Sequence, residues 1–507
     1  MSVVDQKRIA KNTALLYVRM LFIMLISLYT SRVILKTLGD IDFGLYNVIG
    51  TIVVNFSFLN GMLSSACSRY FAIELGRNDN KALKRVFSLN LTLFIILGII
   101  ILLLSETVGL WFLNNKMQIP LDRMVAAQWV YQCSIIAFII NMLSTPYRSI
   151  IIAREKMKIF AYSSIIEAVL KLVIVYMLLI SPIDKLITYA VLMLLITVGT
   201  SGFYYLYCKH YYAECHYSFV WDKSLAKEII GYTGWNVIGN FAFIGKSSGI
   251  NILLNMFGGP VVNAARGIAY QVYTSINQFV SNFMMATNPQ IIKAYSIGDK
   301  SSMMKLIYQS SRFSYLLLFI LVLPIYLQLP LILDIWFDKV PNHTIMFTRL
   351  VLINALIDSL SGPIITAMQA TGRIKWYQIS VGGILLMIVV VAYIGFKFFH
   401  LPPESAFYVS IVLSFIAQAV RVVFLRNNLG FPIMRYIKEV VFRILGVTIL
   451  SIIPSLLLMY FVSDIWVQFF SVSLGSIVFT GVFVYIIGLT GTERKTIVQT
   501  VRKKLHF

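Results

Sequence analysis

Of the 507 residues, 59% are hydrophobic and only 13% charged, a balance too apolar for a set of soluble domains. Apolar runs near the ~20 residues that cross a ~30 Å hydrocarbon core recur from end to end, which predicts an all-α, multi-pass membrane protein. The net charge of +22 would suggest nucleic acid in a soluble chain. Here the cations cluster in alternate connections, so no nucleic-acid partner is expected, and the scattered cysteines Cys67, Cys133, Cys208 and Cys215 exclude a metal or disulfide framework.

Fourteen spans are read near 13–36, 42–66, 87–113, 122–145, 159–181, 185–207, 228–256, 261–287, 309–333, 343–367, 376–398, 404–424, 438–461 and 466–489. The first apolar run is too long for a signal-peptide core and no small-residue cleavage pattern follows it, so it is kept as a helix. With both termini on one side, that side holds most of the 43 lysines and arginines, including Lys7-Arg8-Lys11, Lys81-Lys84-Arg85 and Arg154-Lys156-Lys158. The positive-inside rule makes it cytoplasmic, with membrane lipids as partners of the basic clusters. Multi-pass insertion in a bacterial cytoplasmic membrane is the expectation.

A charge inside a span costs ~2.5 to 3.5 kcal/mol on insertion scales and marks a pathway or a protein-facing site. Arg19 and Arg32, in the first span, are thirteen residues apart and lie on largely opposite faces. Arg32, near the outer end, is the one expected to snorkel. In the fifth span Lys171 stands four residues after Glu167, one turn beyond Ser163 and Ser164. Two readings are open: an intrahelical ion pair, or a relay in which Glu167 binds H⁺ or Na⁺ and frees Lys171 for substrate.

The organising stretch is Ile229 to Asn288, two apolar segments joined at Gly258-Gly259-Pro260. Lys246 lies roughly ten residues, ~15 Å, from the outer end of the first segment. Trp235, Gly239, Ala242, Gly249 and Leu253 share its face and are expected to leave room around the ammonium. In the second segment Arg266, Tyr270, Tyr273, Asn277, Ser281 and Asn288 fall on one helical face, as the wall of a polar cavity would. The blander possibility is an Arg266 that snorkels beside ordinary packing tyrosines. In the tenth span Asp358 is a second coupling candidate, or simply a partner for a neighbouring helix.

The chain also repeats. Ser144-Thr145-Pro146 through Ala153 to Lys158 lies over Ser361-Gly362-Pro363 through Ala370 to Lys375 at an offset of 217, Leu38-Gly39 over Phe257-Gly258 at 219, and Gly76 over Gly298 at 222. Six spans separate the copies, so the halves are parallel repeats, related by an axis along the membrane normal. The division expected is a six-helix lobe over 1–215, a second over 225–430, and two extra helices with a basic tail over 431–507. Such lobes place a transport site at their interface.

The Leu38-Gly39 turn into Phe43-Gly44-Leu45-Tyr46-Asn47, the Ser68-Arg69-Tyr70 exit before Gly76, and Gln369-Ala370-Thr371-Gly372-Arg373-Ile374-Lys375 resemble those of polysaccharide flippases of the O-antigen or capsule type, in the multidrug/oligosaccharidyl-lipid/polysaccharide exporter superfamily. The resemblance covers nearly the whole chain and implies two lobes around a central cavity that export lipid-linked oligosaccharide by alternating access. It also implies, by analogy with fourteen-helix lipid flippases, that the two terminal helices can line a groove for the lipid tail. A glycan polymerase is a further candidate partner.

The cations singled out within the spans are Arg19, Arg32, Lys171, Lys246 and Arg266, against two clear carboxylates, Glu167 and Asp358. A polyprenyl pyrophosphate would compensate that surplus, with guanidinium groups as bidentate donors and lysine as a point charge. Lys246, Arg266, Arg19 and Lys171 are therefore the pyrophosphate candidates, and Tyr270, Tyr273 and Asn277 the sugar contacts. The sign of the charge argues against a multidrug or cation antiporter. A lipid II flippase and a non-transporting membrane scaffold of glycan assembly are also compatible with the pattern. Enzymatic chemistry is not expected: all five histidines fall in connections or the tail, and no phosphate-cradling GxxxxGK[ST] loop occurs. No cofactor is expected beyond a coupling H⁺ or Na⁺.

Overall fold

A computed structural model describes residues 6–54, 57–115, 119–180, 182–337 and 340–495. They form helices: α1 (Gln6–Val54), α2 (Ser57–Arg77), α3 (Asn80–Leu104), α4 (Leu110–Asn115), α5 (Met124–Ala153), α6 (Met157–Ile180), α7 (Lys185–Tyr211), α8 (Lys223–Ser296), α9 (Lys300–Leu327), α10 (Leu329–Trp336), α11 (Thr344–Ser359), α12 (Ser361–Thr371), α13 (Lys375–Phe399), α14 (Ser405–Leu429), α15 (Ile433–Tyr436), α16 (Phe442–Phe461) and α17 (Ile465–Phe483). Eleven helical stretches among the described residues are long and apolar enough to cross a membrane. The other three expected spans, 13–36, 42–66 and 261–287, are helical over their described residues, in α1, α2 and α8. The chain is thus the all-α, multi-pass membrane protein expected.

The helix starts follow from aspartates placed just before apolar runs. Asp79, Asp184, Asp222, Asp299 and Asp464 each accept backbone N–H groups of the following first turn, satisfying donors that a helix N-terminus leaves unpaired. At Asp184, just outside the α7 span, burial pushes the carboxyl up. The hydrogen bond from Arg123 and the N–H groups of Ile187 and Leu186 outweigh it and hold the group below the usual carboxylate range. Arg123 also donates from Nε to Asp42 Oδ1 at 2.8 Å and from a terminal nitrogen to Asp184 Oδ2 at 2.6 Å. One guanidinium thereby ties the middle of α1 to the heads of α5 and α7.

Two compact units divide the residues, one of Met1–Val237 with Ile292–Gly298, the other of Ile238–Ile291 with Asp299–Phe507. In the first, Ile49, Leu113, Ala127, Val130, Tyr131 and Leu186 form a fully buried core. At the π turn Ser105–Gly109 between α3 and α4, Ser105 O accepts the Leu110 N–H and also the Tyr131 hydroxyl, the latter at 2.8 Å. In the second unit the two C-terminal helices, α16 and α17, pack on each other and on α9.

The backbone carries the repeat and corrects its register. Gly39 inside α1 (φ 78°, ψ 172°) and Gly259 inside α8 (φ 77°, ψ −176°) share one conformation, in a region essentially reserved for glycine. The partner of Gly39 is thus Gly259, one residue past the Gly258 that the sequence match chose. Likewise Gly298 (φ 76°) pairs with Asn78 (φ 56°), not Gly76, and each precedes a capping aspartate. Sequence comparison matched glycine to glycine, whereas the left-handed position accepts asparagine. The 217 offset holds at Glu155 (φ 58°) and Gly372 (φ 72°). There a non-glycine residue takes the left-handed turn, and Glu155 is held by Lys293 Nζ at 2.8 Å.

Candidate functional site

In the second unit the chain gathers cations that the sequence placed far apart. Lys246 of α8 is only 6% exposed, and its ammonium donates to Ser414 Oγ of α14 at 3.3 Å. The charges whose fields reach it are Asp358 of α11 and Arg421 of α14. Arg266, 8% exposed, turns back along α8 past the Gly259 break. It donates to Asn251 Oδ1 at 3.0 Å, Ser247 O at 2.7 Å and Ser247 Oγ at 3.2 Å. Its guanidinium therefore grips the residue next to Lys246, and its carbon centre lies 4.1 Å from the Tyr270 ring, a cation–π distance. Arg266 does not snorkel.

Tyr270 continues to Tyr273 at 5.8 Å between centroids, and the Asp358 carboxylate, which accepts Asn354 Nδ2 at 2.8 Å, acts on both tyrosines as well as on Lys246. Lys246, Arg266, Tyr270, Tyr273 and Asp358 thus form one electrostatic cluster. Asn277 lies half-buried further along the stripe, where its carbonyl accepts Ser281 Oγ. Asn288, at the stripe's end, accepts Thr366 Oγ1 at 2.8 Å.

Arg421 belongs to the cluster too, and its place in the sequence does not reveal it. It is 6% exposed and donates to Ser361 Oγ at 3.1 Å, while Ser361 donates to Gln418 Oε1 at 2.7 Å. Its position near the end of a predicted span reads as an interfacial charge. In the structure α14 continues to Leu429, and the added turns leave Arg421 inside the protein. Among the described residues Lys246, Arg266 and Arg421 make no ion pair, so this cluster holds three buried cations and a single carboxylate. Burying such a surplus is costly unless water or an anion compensates it.

The small residues around Lys246 do something other than expected. A Cβ on Gly239 would stand 2.1 Å from Gln378 Oε1, one on Gly249 2.7 Å from Val389, and one on Gly382 3.2 Å from Ala242. These residues let α8 and α13 approach closely, as small residues do between membrane helices; the room expected from them is taken up by α13.

Arg19 and Lys171 lie in the first unit. Arg19 donates to Ser164 Oγ at 3.5 Å and stands 4.7 Å over the Phe160 ring. Lys171 and Glu167 form the intrahelical pair at 2.7 Å. The pair faces a cavity of about 270 Å³ that Ser27, Thr30, Ser164 and Tyr189 also line, so Glu167 borders this cavity despite the pairing. Ser163 bonds Tyr204 instead. The Arg32 side chain lies outside the described residues. No group of metal-ligating side chains occurs among them.

The family described as polysaccharide biosynthesis protein matches residues 9–295. No curated protein sequence matches the chain. Among solved structures, an outward-facing multidrug-resistance MATE family transporter of the MOP superfamily is similar with a TM-score of 0.73 at 15% identity, covering 84% of this chain and 96% of that one. A MATE in the straight conformation gives 0.71 at 16%, over the same shares. A MOP superfamily transporter from Pyrococcus furiosus, reported with a binding pocket of reverse polarity that suggests a different function, gives 0.68 at 15%, covering 83% and 96%. These likenesses establish the fold.

Proposed function

Because the chain belongs to the polysaccharide biosynthesis protein family, in a superfamily of membrane exporters, we propose that it flips a polyprenyl-pyrophosphate-linked oligosaccharide, an O-antigen, capsule or related repeat unit, across the cytoplasmic membrane by alternating access. The observation that carries this reading is the surplus of buried positive charge around Lys246, Arg266 and Arg421, with Asp358, among the described residues, as the carboxylate acting on it. A drug-exporting pocket for cations needs the opposite sign. An anionic pyrophosphate supplies the missing charge, with Arg266 and Arg421 offering forked donors and Lys246 a point charge. The adjoining Tyr270 and Tyr273 rings give sugar a surface to stack on, and Asn277 a polar contact. Arg19 then serves the first unit, with Lys171.

Asp358 and Glu167 are the coupling positions in this reading. An ionised Asp358 offsets the field of Lys246; binding H⁺ or Na⁺ there cancels that offset and strengthens the hold on pyrophosphate. Release of the ion on the opposite side reverses it, so ion movement and anion movement are linked.

The test is glycan export in a strain lacking the gene, complemented at matched membrane levels with wild type, Lys246→Ala, Arg266→Ala or Arg421→Ala. Loss of surface glycan with lipid-linked units retained in the inner leaflet supports the reading. Full export by the Lys246→Ala and Arg266→Ala proteins would remove the site from this cluster. Unchanged glycan in the deletion strain itself would overturn the substrate class.

A further inference from the structure

The first unit carries a polar face of its own. In α5, Asn141, Thr145 and Arg148 lie on one side of the helix, and Thr145 donates to Asn60 Oδ1 of α2 at 2.9 Å. Arg148 donates one terminal nitrogen to Asn141 Oδ1 at 3.2 Å, and its carbon centre lies 4.9 Å from the Tyr204 ring of α7. Arg19 comes in from α1 through its bond to Ser164, and Ser163 and Ser164 both reach the Tyr204 hydroxyl. Asn60, Asn141 and Arg148 are all half-buried. Charged and polar groups left open within spans face protein or water rather than lipid tails, so this face is a wet one.

Two observations give it a ligand. Among the described residues Arg148 makes no ion pair, and its second terminal nitrogen is neither bonded nor closed off. The carboxylate of Glu167 is already taken by Lys171. The second observation is the repeat. At the offset of 217, Asn141 corresponds to Asp358 and Tyr204 to Arg421. Each unit thus sets a guanidinium at a corresponding place, but where the second offers a carboxylate the first offers a neutral amide. An arginine held against an amide keeps its full charge for an incoming anion.

We infer, on the flippase reading above, that Arg148 forms a second oxyanion site, which takes the carboxylate of a uronate-type sugar in the transported glycan. One open nitrogen and one uncompensated charge at Arg148 suit a monoanion, joined by a charge-assisted hydrogen bond. A pyrophosphate carries more charge, and the three buried cations Lys246, Arg266 and Arg421 of the second unit match it better. Asn60 supplies a neutral contact for the same sugar: Thr145 holds its Oδ1, which leaves its amide nitrogen for a ring hydroxyl. Thr145 and Arg148 are about one turn apart, ~4.5 Å along α5, so one sugar unit reaches both. Glycans with an acidic sugar are then preferred over neutral ones.

The experiment is equilibrium binding to the purified full-length protein in detergent, by titration calorimetry. The probes are a glucuronate-terminated trisaccharide, its methyl ester, which removes the charge, and inorganic pyrophosphate. The expected result is an acid bound about tenfold tighter than its ester, the worth of one hydrogen bond to a charged group. Arg148→Gln removes that preference and Arg148→Lys keeps part of it. Asn141→Asp removes it too, because the arginine stays in place but gains a carboxylate of the protein's own. If Arg148 only braced the helices, Asn141→Asp would strengthen the contact and leave probe binding unchanged. Pyrophosphate binding stays at the wild-type level in all three variants and is weakened by Lys246→Ala. Equal affinity for acid and ester, or a preference that survives Asn141→Asp, would overturn the assignment. So would loss of pyrophosphate binding in Arg148→Gln, which gives the site to the pyrophosphate. Failure of the wild type to bind pyrophosphate counts against the flippase reading alone, since the comparison of acid with ester does not depend on it.

Discussion

Replacing Arg312 should be the most destabilising single change to a charged residue in the second unit. Arg312 of α9 is 1% exposed, the largest side chain among the fully buried ones. One terminal nitrogen donates to both carboxylate oxygens of Glu493, at 2.5 and 2.6 Å, and the other to Glu439 O at 3.1 Å. Glu493, 8% exposed, also accepts Thr490 N at 2.7 Å, so this pair fastens the chain beyond α17 and the start of α16 onto α9. Arg312→Met leaves a buried carboxylate with one backbone donor, and breaking a buried pair in this way costs about 3–5 kcal/mol. Glu493→Met strands the guanidinium and should cost a similar amount. Removing both takes out both desolvated charges, and apolar replacement of a buried pair is often neutral or stabilising. The double variant should therefore lie within about 1 kcal/mol of wild type, a coupling of several kcal/mol. Reversible denaturation in mixed micelles, read as a double-mutant cycle, measures it. Additive single effects, or an Arg312→Met loss below about 1 kcal/mol, would refute the reasoning.

Gly259→Ala and Gly39→Ala force a side chain into φ near +77° with extended ψ and should each cost about 1–3 kcal/mol; Gly267→Ala, in open helix, should be neutral or stabilising, and folded yield in detergent separates them. Arg421→Ala should lower export like Lys246→Ala while leaving membrane level unchanged, whereas Arg421→Lys should restore part of the export, which a purely structural role for the Ser361 contact would not predict. Asp184 carries a depressed pKa, so its contribution to stability is fully present above the unfolded value of ~3.9 and is lost as pH falls through the lower folded value. Thermal stability should stay level from pH 7 to about 4 on this account and drop below it. Asp184→Asn, which keeps the helix cap, should flatten that acid limb and weaken the tie to Arg123.

What depends on local chemistry and periodicity could be read from the residues alone. Runs of apolar residues longer than a bilayer core must be helices, because unsatisfied backbone is not tolerated in lipid, and aspartates before those runs became their caps. The repeat was legible because both copies need left-handed turns at corresponding places, although its register was not: glycine and asparagine serve the same turn at 78 and 298, and only backbone angles show which residue takes it. A surplus of cations around Lys246 and Arg266 was likewise visible as charge in apolar segments. Helix packing set which charges share a neighbourhood. It put Asp358, Lys246 and Arg421, from three helices, into one field and left Arg19 and Lys171 in another unit. It turned Gly239 and Gly249 into contact points for α13, and it buried Arg421 and Arg312, which lie near the ends of expected spans. Burial is a property of neighbouring helices, and a charge near the end of a span is inside or outside according to how far those neighbours extend.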